Sequence, residues 1–307
     1  MGRVFALKSL SKRFGSVLAN DRVSLDLHQG EVLALLGENG SGKTTLMNML
    51  FGHYLPDSGT IDVADRDGIL QPMLLGQPQI ALAKGIGMVH QHFTLAENLN
   101  ALENIMMGSE RLTALRRQTA RGRDKLNRIM DETGLRAPMD VPVGRLSVGE
   151  RQRIEILKAL YRDVRILVLD EPTAVLTPQE ADALFENIHT MAAAGLSVIF
   201  ISHKLREVLS FSQRIVVLRQ GRNVGELITK QTNETEIAKL MVGSGVSLAD
   251  REDVTPGGIV LKIDQAAVNG YSKRDTLQDL SLEARAHEIL GIAGVSGNGQ
   301  TGLAGLI

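Results

Sequence analysis

Lys43 and Thr44 close a run of Gly37, Glu38, Asn39, Gly40, Ser41 and Gly42, giving the pattern Gly-x4-Gly-Lys-Thr. Its glycines let backbone N–H groups curl around the β- and γ-phosphates of a nucleotide, Lys43 supplies a compact cation, and the Thr44 hydroxyl suits Mg2+. The apolar run Glu31–Leu36 predicts a strand before the loop, and the spacing from Thr45 to Leu50 predicts a helix after it, whose N-terminus adds partial positive charge. Strand, loop and helix in that order predict a site for a nucleoside triphosphate.

A second group of residues could do chemistry on that ligand. Ile166–Leu169 reads as a buried strand delivering two adjacent acids, Asp170 and Glu171. Asp170 can hold Mg2+ directly or through water, and Glu171 can polarise an attacking water; acids that merely end a strand are the bland alternative, weak beside a phosphate loop. Ser147 with Glu150 is a capping box, commonplace alone, but with Gly149 it opens a second helix start able to face an anion. His203 ends the apolar run Val198–Ser202, where parallel sheets place ligands, and so is a candidate γ-phosphate sensor. Phe14, an aromatic in a polar stretch, suits either purine stacking or ordinary partial burial. His90 and His92 flank Gln91, but no third ligand is near, so a metal is not expected there.

The elements that must carry these residues are legible in outline. Val4–Leu10 and Val23–Leu27 read as strands joined by the polar segment Ser11–Ser16; turn-rich strands fill 51–81, with Asp57, Ser58 and Gly59 marking a hairpin. A short strand from Gly85 ends at Gln91. Residues 99–146 turn helical and basic, with Arg111, Arg116, Arg117, Arg121 and Arg123, a pattern of solvated helix faces, with anionic lipid or nucleic acid as the competing uses. A helix Arg151–Tyr161 carries an apolar stripe at Ile154, Leu157, Leu160 and Tyr161. Arg214–Arg219 and Asn223–Ile228 form a hairpin around Gln220 and Gly221, followed by a helix Glu234–Val242 capped by Asn233.

Composition bounds the function. The 307 residues, 43% hydrophobic and 22% charged, suffice for a full core and part of another. A net charge of −1 argues against wholesale nucleic-acid binding, and the absence of Cys removes disulfides, thiol nucleophiles and cysteine metal sites. No apolar run reaches the roughly 20 residues that span a bilayer, so the chain is expected in the cytoplasm, touching a membrane through partners.

In order and spacing, Gly37–Thr44, Gln91, Leu146–Glu150, Ile166–Glu171 and His203 resemble the ATPase subunit of an ABC transporter. The resemblance implies an α/β P-loop NTPase fold of ABC type, with an antiparallel β subdomain and a helical subdomain. It makes Gly37 to Thr44 the Walker A loop, with Thr45 also binding nucleotide, Gln91 the Q-loop, Ser147 and Gly149 the signature contacts, Ile166–Glu171 the Walker B strand, His203 the switch histidine and Phe14 the adenine-stacking ring. ATP and Mg2+ are the implied cofactors, the metal at Thr44, Gln91 and Asp170, with catalysis by Glu171, His203, Gln91 and Lys43. One departure stands out: most of the family has Ser-Ala-Leu-Asp after Glu171-Pro172-Thr173, whereas this chain has Ala174, Val175, Leu176 and Thr177.

The chain also carries a repeat. Leu280–Ile307 aligns without gaps on Val23–Leu50 with about a third of positions identical, and Gln300 falls on Lys43. A neutral amide cannot replace the ammonium, so this second loop is expected to bind nucleotide weakly or to serve structure. The expected organisation is an ATPase domain over 1–245, a linker over 246–258 within a loose polar stretch from Gly243, and over 259–307 the N-terminal part of a second ATPase domain. The 307 residues are thus expected to be a fragment of a tandem protein. Tandem halves with a degenerate second loop resemble the importer ATPases for simple sugars and nucleosides, the run Met88–Phe93 favouring the nucleoside branch. That implies transmembrane permease subunits, an extracytoplasmic solute-binding protein, and a second ATPase half or a homodimer as partners, with no nucleic acid. The competing function is a soluble tandem ABC ATPase acting on ribosomes or nucleic acid, which the short linker, neither strongly basic nor helical, disfavours.

Overall fold

Arg3–Phe14 (β1) and Val17–His28 (β2) form an antiparallel pair turned at Gly15 and Ser16. The polar stretch Ser11–Phe14, expected as the connection, is strand: it carries the pairing with β2 beyond the buried Phe5, Leu7 and Leu10 with none of its own residues buried, so polarity there marks a solvated strand end and not a turn. The structure, a computed structural model, describes residues 2–91, 93–109, 119–243, 255–268, 276–294 and 298–307. It divides into two compact units, Met1–Val246 and Ser247–Ile307.

In the first unit the chain continues through Val32–Leu36 (β3), Lys43–Phe51 (α1), Ser58–Ala64 (β4), Leu70–Pro72 (β5), Pro78–Ala83 (α2), Ile86–Val89 (β6), Ala101–Met106 (α3) and Thr119–Thr133 (α4). Val148–Leu160 (α5), Ile166–Asp170 (β7), Pro178–Ala193 (α6), Ser197–Ile201 (β8), Leu205–Phe211 (α7), Arg214–Arg219 (β9), Arg222–Ile228 (β10) and Glu234–Val242 (α8) complete it. Two sheets result. One is antiparallel, in the order β2-β1-β4-β5; the other runs β10-β9-β3-β8-β7-β6, parallel except for the edge strand β10.

The parallel sheet separates two cores, which explains why its strands read as unbroken apolar runs. Val32, Ala34 and Leu36 of β3 face the helices, with Leu169 and Phe200, while Leu33 and Leu35 face α1 and the antiparallel sheet, with Val168 and Ile199. Arg214 ties the layers at one edge: its guanidinium donates to Glu31 (2.7 Å) and Asp26 (2.8 Å) and pairs with Glu226. Those three carboxylates hold its pKa above the ordinary arginine value against the opposing effect of burial, the largest single influence.

Several expectations are corrected. Asp57, Ser58 and Gly59 are not a hairpin but the entry to β4, whose partner is β1; the Asp57 carboxylate accepts from Lys12 Nζ (2.9 Å) and the Arg13 N–H (2.7 Å). The hairpin lies further on, where the Asp65 N–H donates to the Ile69 carbonyl at 2.9 Å. Residues 78–83, read among strands, form a helix with Pro78 at its first turn. The capping box expected at Ser147 and Glu150 is present, and the helix it opens begins at Val148, three residues before the expected Arg151. Of the basic run, Arg121 and Arg123 lie on α4, Arg123 paired with Asp140, and Arg111, Arg116 and Arg117 lie outside the described residues. So do residues 244–254, most of the expected linker.

The second unit contains Ile259–Val268 (β11), Leu277–Arg285 (β12) and Gln300–Ala304 (α9). The pairings Phe5↔Leu27, Leu7↔Leu25 and Leu10↔Val23 recur as Leu261↔Ala284, Ile263↔Leu282 and Ala266↔Leu280, with the bulge between the last two pairs kept. Left-handed Ser9 and Arg22 recur as Gln265 and Asp279, and the bond from the Ser9 N–H to Ser24 Oγ (3.0 Å) recurs from Gln265 to Ser281 (2.9 Å). The repeat therefore extends back to the first strand, where sequence identity does not show it. Ile289–Ala293, the counterpart of β3, forms no strand, and Ile289 is 96% exposed. In the first unit β3 is held by β8 and β9; among the described residues nothing parallel stands beside Ile289–Ala293 to pair its N–H and C=O groups.

Candidate functional site

The parallel strands deliver the chemistry at their carboxyl ends. From β3 the chain enters the loop 37–42, then α1, whose cap Gly42 is left-handed (φ 98°) and carries no side-chain cap, so the first-turn N–H groups stay available to an anion. A Cβ on Gly42 would stand 2.3 Å from the Ala19 carbonyl oxygen, and one on Gly37 2.3 Å from that of Leu218. The loop is braced from behind: the Gly221 N–H donates to the Ser41 carbonyl (3.1 Å) and Asn20 Nδ2 to the Gly42 carbonyl (3.2 Å).

Lys43 is 7% exposed and turns its ammonium into the loop, donating to the carbonyls of Gly37 (2.7 Å) and Glu38 (2.9 Å) and, at 3.4 Å, to Ser41 Oγ. Burial lowers its pKa, opposed by the carboxylates of Glu171 and Asp170. Asp170 closes β7; burial, then the Glu171 charge, raises its pKa, against Lys43. Glu171 leaves the strand left-handed (φ 46°), its N–H donating to the Ile201 carbonyl at 3.0 Å. Its carboxylate accepts from Gln91 Nε2 at 3.2 Å and lies 3.1 Å from His203 Nδ1. Two residues, 80 and 32 positions away in the chain, thus meet at one acid.

Lys43, Gln91, Asp170 and Glu171 line a cleft of about 590 Å3 bounded also by Phe14, Val17, Leu18, Ala19, residues 39–45, Ile201 and Gln220; His203 is not among its lining residues and reaches the site through Glu171. Phe14 is 44% exposed, its ring edge-on to Tyr54 (5.3 Å) with Lys12 Nζ 5.5 Å from its centre. Gly37 and Glu38 are not among the lining residues; their carbonyls accept from Lys43. Ser147 and Gly149 are not among the lining residues. Ser147 is exposed and caps α5, with Glu150 N–H to Oγ at 3.3 Å and Ser147 N–H to Glu150 Oε2 at 2.8 Å. Gly149 has a packing reason as well, since a Cβ there would meet Glu180 Oε1 at 2.6 Å.

Sequence reasoning missed Val17, Leu18, Ala19, Asn20, Ile201 and Gln220; only the turn at Gln220–Gly221 carried a local signal, and it read as a hairpin. It also missed Glu155 of α5, 6% exposed, which accepts from the Thr94 hydroxyl (2.9 Å) and so ties the segment after Gln91 to the helix that Ser147 caps. His90 stacks on His53 (5.7 Å, 11°), burial lowering the pKa of both; His92 lies outside the described residues. Among the described residues no group of three or more His, Cys, Asp or Glu could hold a metal. The oxygen donors available, from Thr44, Gln91 and Asp170, fit Mg2+, which takes few protein ligands and completes its shell with water and phosphate oxygens.

A family model described as ABC transporter matches residues 20–174, about half of the chain. The chain belongs to the ABC transporter family. Along 98% of its length this ABC protein is 40% identical to a nucleoside import ATP-binding protein of Lactococcus lactis subsp. cremoris, covering 58% of that protein. Along 99% it is 42% identical to a guanosine import ATP-binding protein of Bacillus subtilis, covering 59%. A ribose import ATP-binding protein of Clostridium tetani is 37% identical over 97% of the chain, which covers 58% of it. The chain thus spans about three fifths of the length of these curated relatives. Its fold is that of the ATP-binding cassette: the ADP conformation of such a cassette superposes with a TM-score of 0.69 at 24% identity, covering 80% of this chain and all of that one. A dimeric cassette bound to ADP and Pi superposes with a TM-score of 0.61 at 24% identity, covering 73% and 98%.

Proposed function

We propose that this ABC protein hydrolyses ATP to energise import of a small polar solute, a nucleoside or simple sugar, through transmembrane permease subunits. It works at the cytoplasmic face of the membrane, with an extracytoplasmic solute-binding protein and a second ATPase half or a second copy. The observation that carries the hydrolytic reading is the Glu171 carboxylate held between Gln91 and His203, beside the Lys43 loop. The transport reading is supported by relatives whose names specify nucleoside, guanosine and ribose import.

In this reading the N–H groups of residues 39–45 cradle the phosphates, and Lys43 exchanges its carbonyl acceptors for phosphate oxygens. Mg2+, held by Thr44, Gln91 and Asp170, supplies charge neutralisation when bound. Glu171 orients and deprotonates the attacking water, and His203 and Gln91 hold its carboxylate in place. Phe14 offers the purine a stacking face. Ser147 and Gly149 act on the nucleotide of a facing half, since the cleft they would complete is not their own.

Two measurements test this. Glu171→Gln should retain Mg-ATP and lose hydrolysis by about 10²-fold or more, the scale of general-base loss; turnover within a few fold of wild type would sink the assignment. A strain deleted for the gene should lose uptake of labelled nucleosides or pentoses and regain it on complementation, and unchanged uptake of both classes would overturn the transport reading.

A further inference from the structure

Glu207 is a buried acid that the mechanism above does not use. It lies on α7, is 9% exposed, and its carboxylate accepts from Thr173 Oγ1 (2.7 and 2.8 Å) and Ser202 Oγ (3.1 Å) while pairing with Lys204 Nζ at 3.1 Å. The Lys204 ammonium closes the ring by donating to the Thr173 carbonyl at 2.9 Å, and the Lys204 N–H donates to Ser202 Oγ at 3.0 Å. Thr173 stands two residues after Glu171, and Ser202 immediately precedes His203. One carboxylate therefore clamps together the two chain segments that leave neighbouring strands β7 and β8 with the reactive side chains on them.

We infer that Glu207 is the positioning residue that holds Glu171 and His203 at hydrogen-bond distance. The β7–β8 ladder ends at Asp170↔Ile201, and beyond it the Glu171 N–H to Ile201 bond is the last backbone tie between the segments. Past that point nothing in a sheet fixes how far Glu171 and His203 stand apart, and Glu171 is in addition left-handed, a conformation that persists only where its surroundings impose it. A buried carboxylate is costly unless its oxygens are filled, and here two hydroxyls and an ammonium fill them. The two hydroxyls belong to the segments that need fixing, both nearly fully buried, at 2% for Thr173 and 3% for Ser202. A clamp of this kind acts on geometry, and misplacement of a reacting group by about 1 Å can cost on the order of 10²-fold in rate.

This rests on Glu171 being the base, so the test separates the two claims. In the full-length protein, Glu207→Gln replaces one acceptor by an amide N–H₂ facing hydroxyls and an ammonium that are already donors. It should lower kcat about tenfold or more with the KM for ATP changed by less than about threefold. Thr173→Val, which keeps the shape and removes the donor, should do the same, and Thr173→Ser should restore turnover. Added to Glu171→Gln, Glu207→Gln should lower the residual single-turnover rate by less than about twofold, because the residue acts through one already removed. Wild-type turnover in both Glu207→Gln and Thr173→Val, or a loss of equal size with and without Glu171, would overturn the clamp while leaving Glu171 in place as base. Wild-type turnover in Glu171→Gln would overturn both.

Discussion

Asp170 and Lys43 show what the site costs each residue in it. Asp170 is buried beside Glu171, which raises its pKa, so its charged form is disfavoured in the folded chain. A carboxyl with a raised folded pKa is at no disadvantage below its unfolded value, about pH 4; above it the unfolded chain deprotonates first, so the destabilisation grows with pH and is complete once pH passes the folded value. Asp170→Asn should therefore raise the nucleotide-free Tm relative to wild type at pH 7 to 8, with the difference shrinking toward zero near pH 4. The same variant should weaken Mg-dependent ATP binding. Calorimetric melts across that range, with and without Mg-ATP, check both halves; a difference that grows on acidification would contradict the sign. Phe14 presents a different balance, an exposed ring steadied by Tyr54 at the mouth of the cleft. Phe14→Ala should weaken ATP by about 1–2 kcal/mol and leave inorganic triphosphate unaffected, as befits stacking. Equal losses for both ligands in titration calorimetry would show packing instead.

At the scale of elements, the departure at Thr177 has a local explanation. Thr177 is the N-cap of α6: its Oγ1 accepts from the Glu180 N–H (3.3 Å), and Glu180 Oε2 accepts from the Thr177 N–H (3.0 Å). Aspartate and threonine both cap helices well, so the helix start survives the exchange. Thr177→Ala should cost about 1 kcal/mol of stability and Thr177→Asp close to nothing, readable from urea midpoints. The same Glu180 packs against the Gly149 position of α5, so the cap also seats the start of the helix that carries Ser147. Among the described residues three capping boxes, at Asn100, Ser147 and Thr177, use one spacing, so the spacing by itself does not tell a structural cap from one inside a family motif.

At the scale of the whole molecule, the first unit holds every residue of the cleft, and Ser147 and Gly149, in the same unit, are not among the cleft's lining residues. Residues 1–246 alone should bind ATP as tightly as the longer chain, and their specific ATPase activity should rise with protein concentration as two copies complete each other's sites. Glu171→Gln with ATP should shift them toward a dimer in light scattering. Activity independent of concentration in a proven monomer would contradict the shared site. The second unit exposes Ile259, Val260, Ile289 and Ile292, so its removal should also reduce association.

What the sequence by itself determined is what local chemistry specifies. A phosphate loop needs glycines, lysine and threonine at fixed spacing between a strand and a helix. A capping box is complete within four residues, and a strand buried on both faces must be apolar throughout; hence Gly37–Thr44, Ser147–Glu150 and Ile166–Glu171 were legible. Tertiary structure alone decided which distant residues share a contact. Ser11–Phe14 and Asp57–Gly59 read as turns because polar and glycine residues serve turns and solvated strands alike, and only β1 and β4 pairing tells them apart. Asn20, Gln220 and Glu207 carry no pattern of their own. Their roles arise where the backbone of residues 18–20, the β9–β10 turn and α7 are packed against the strand ends, and burial there turns an ordinary amide or acid into a partner for specific hydroxyls and carbonyls.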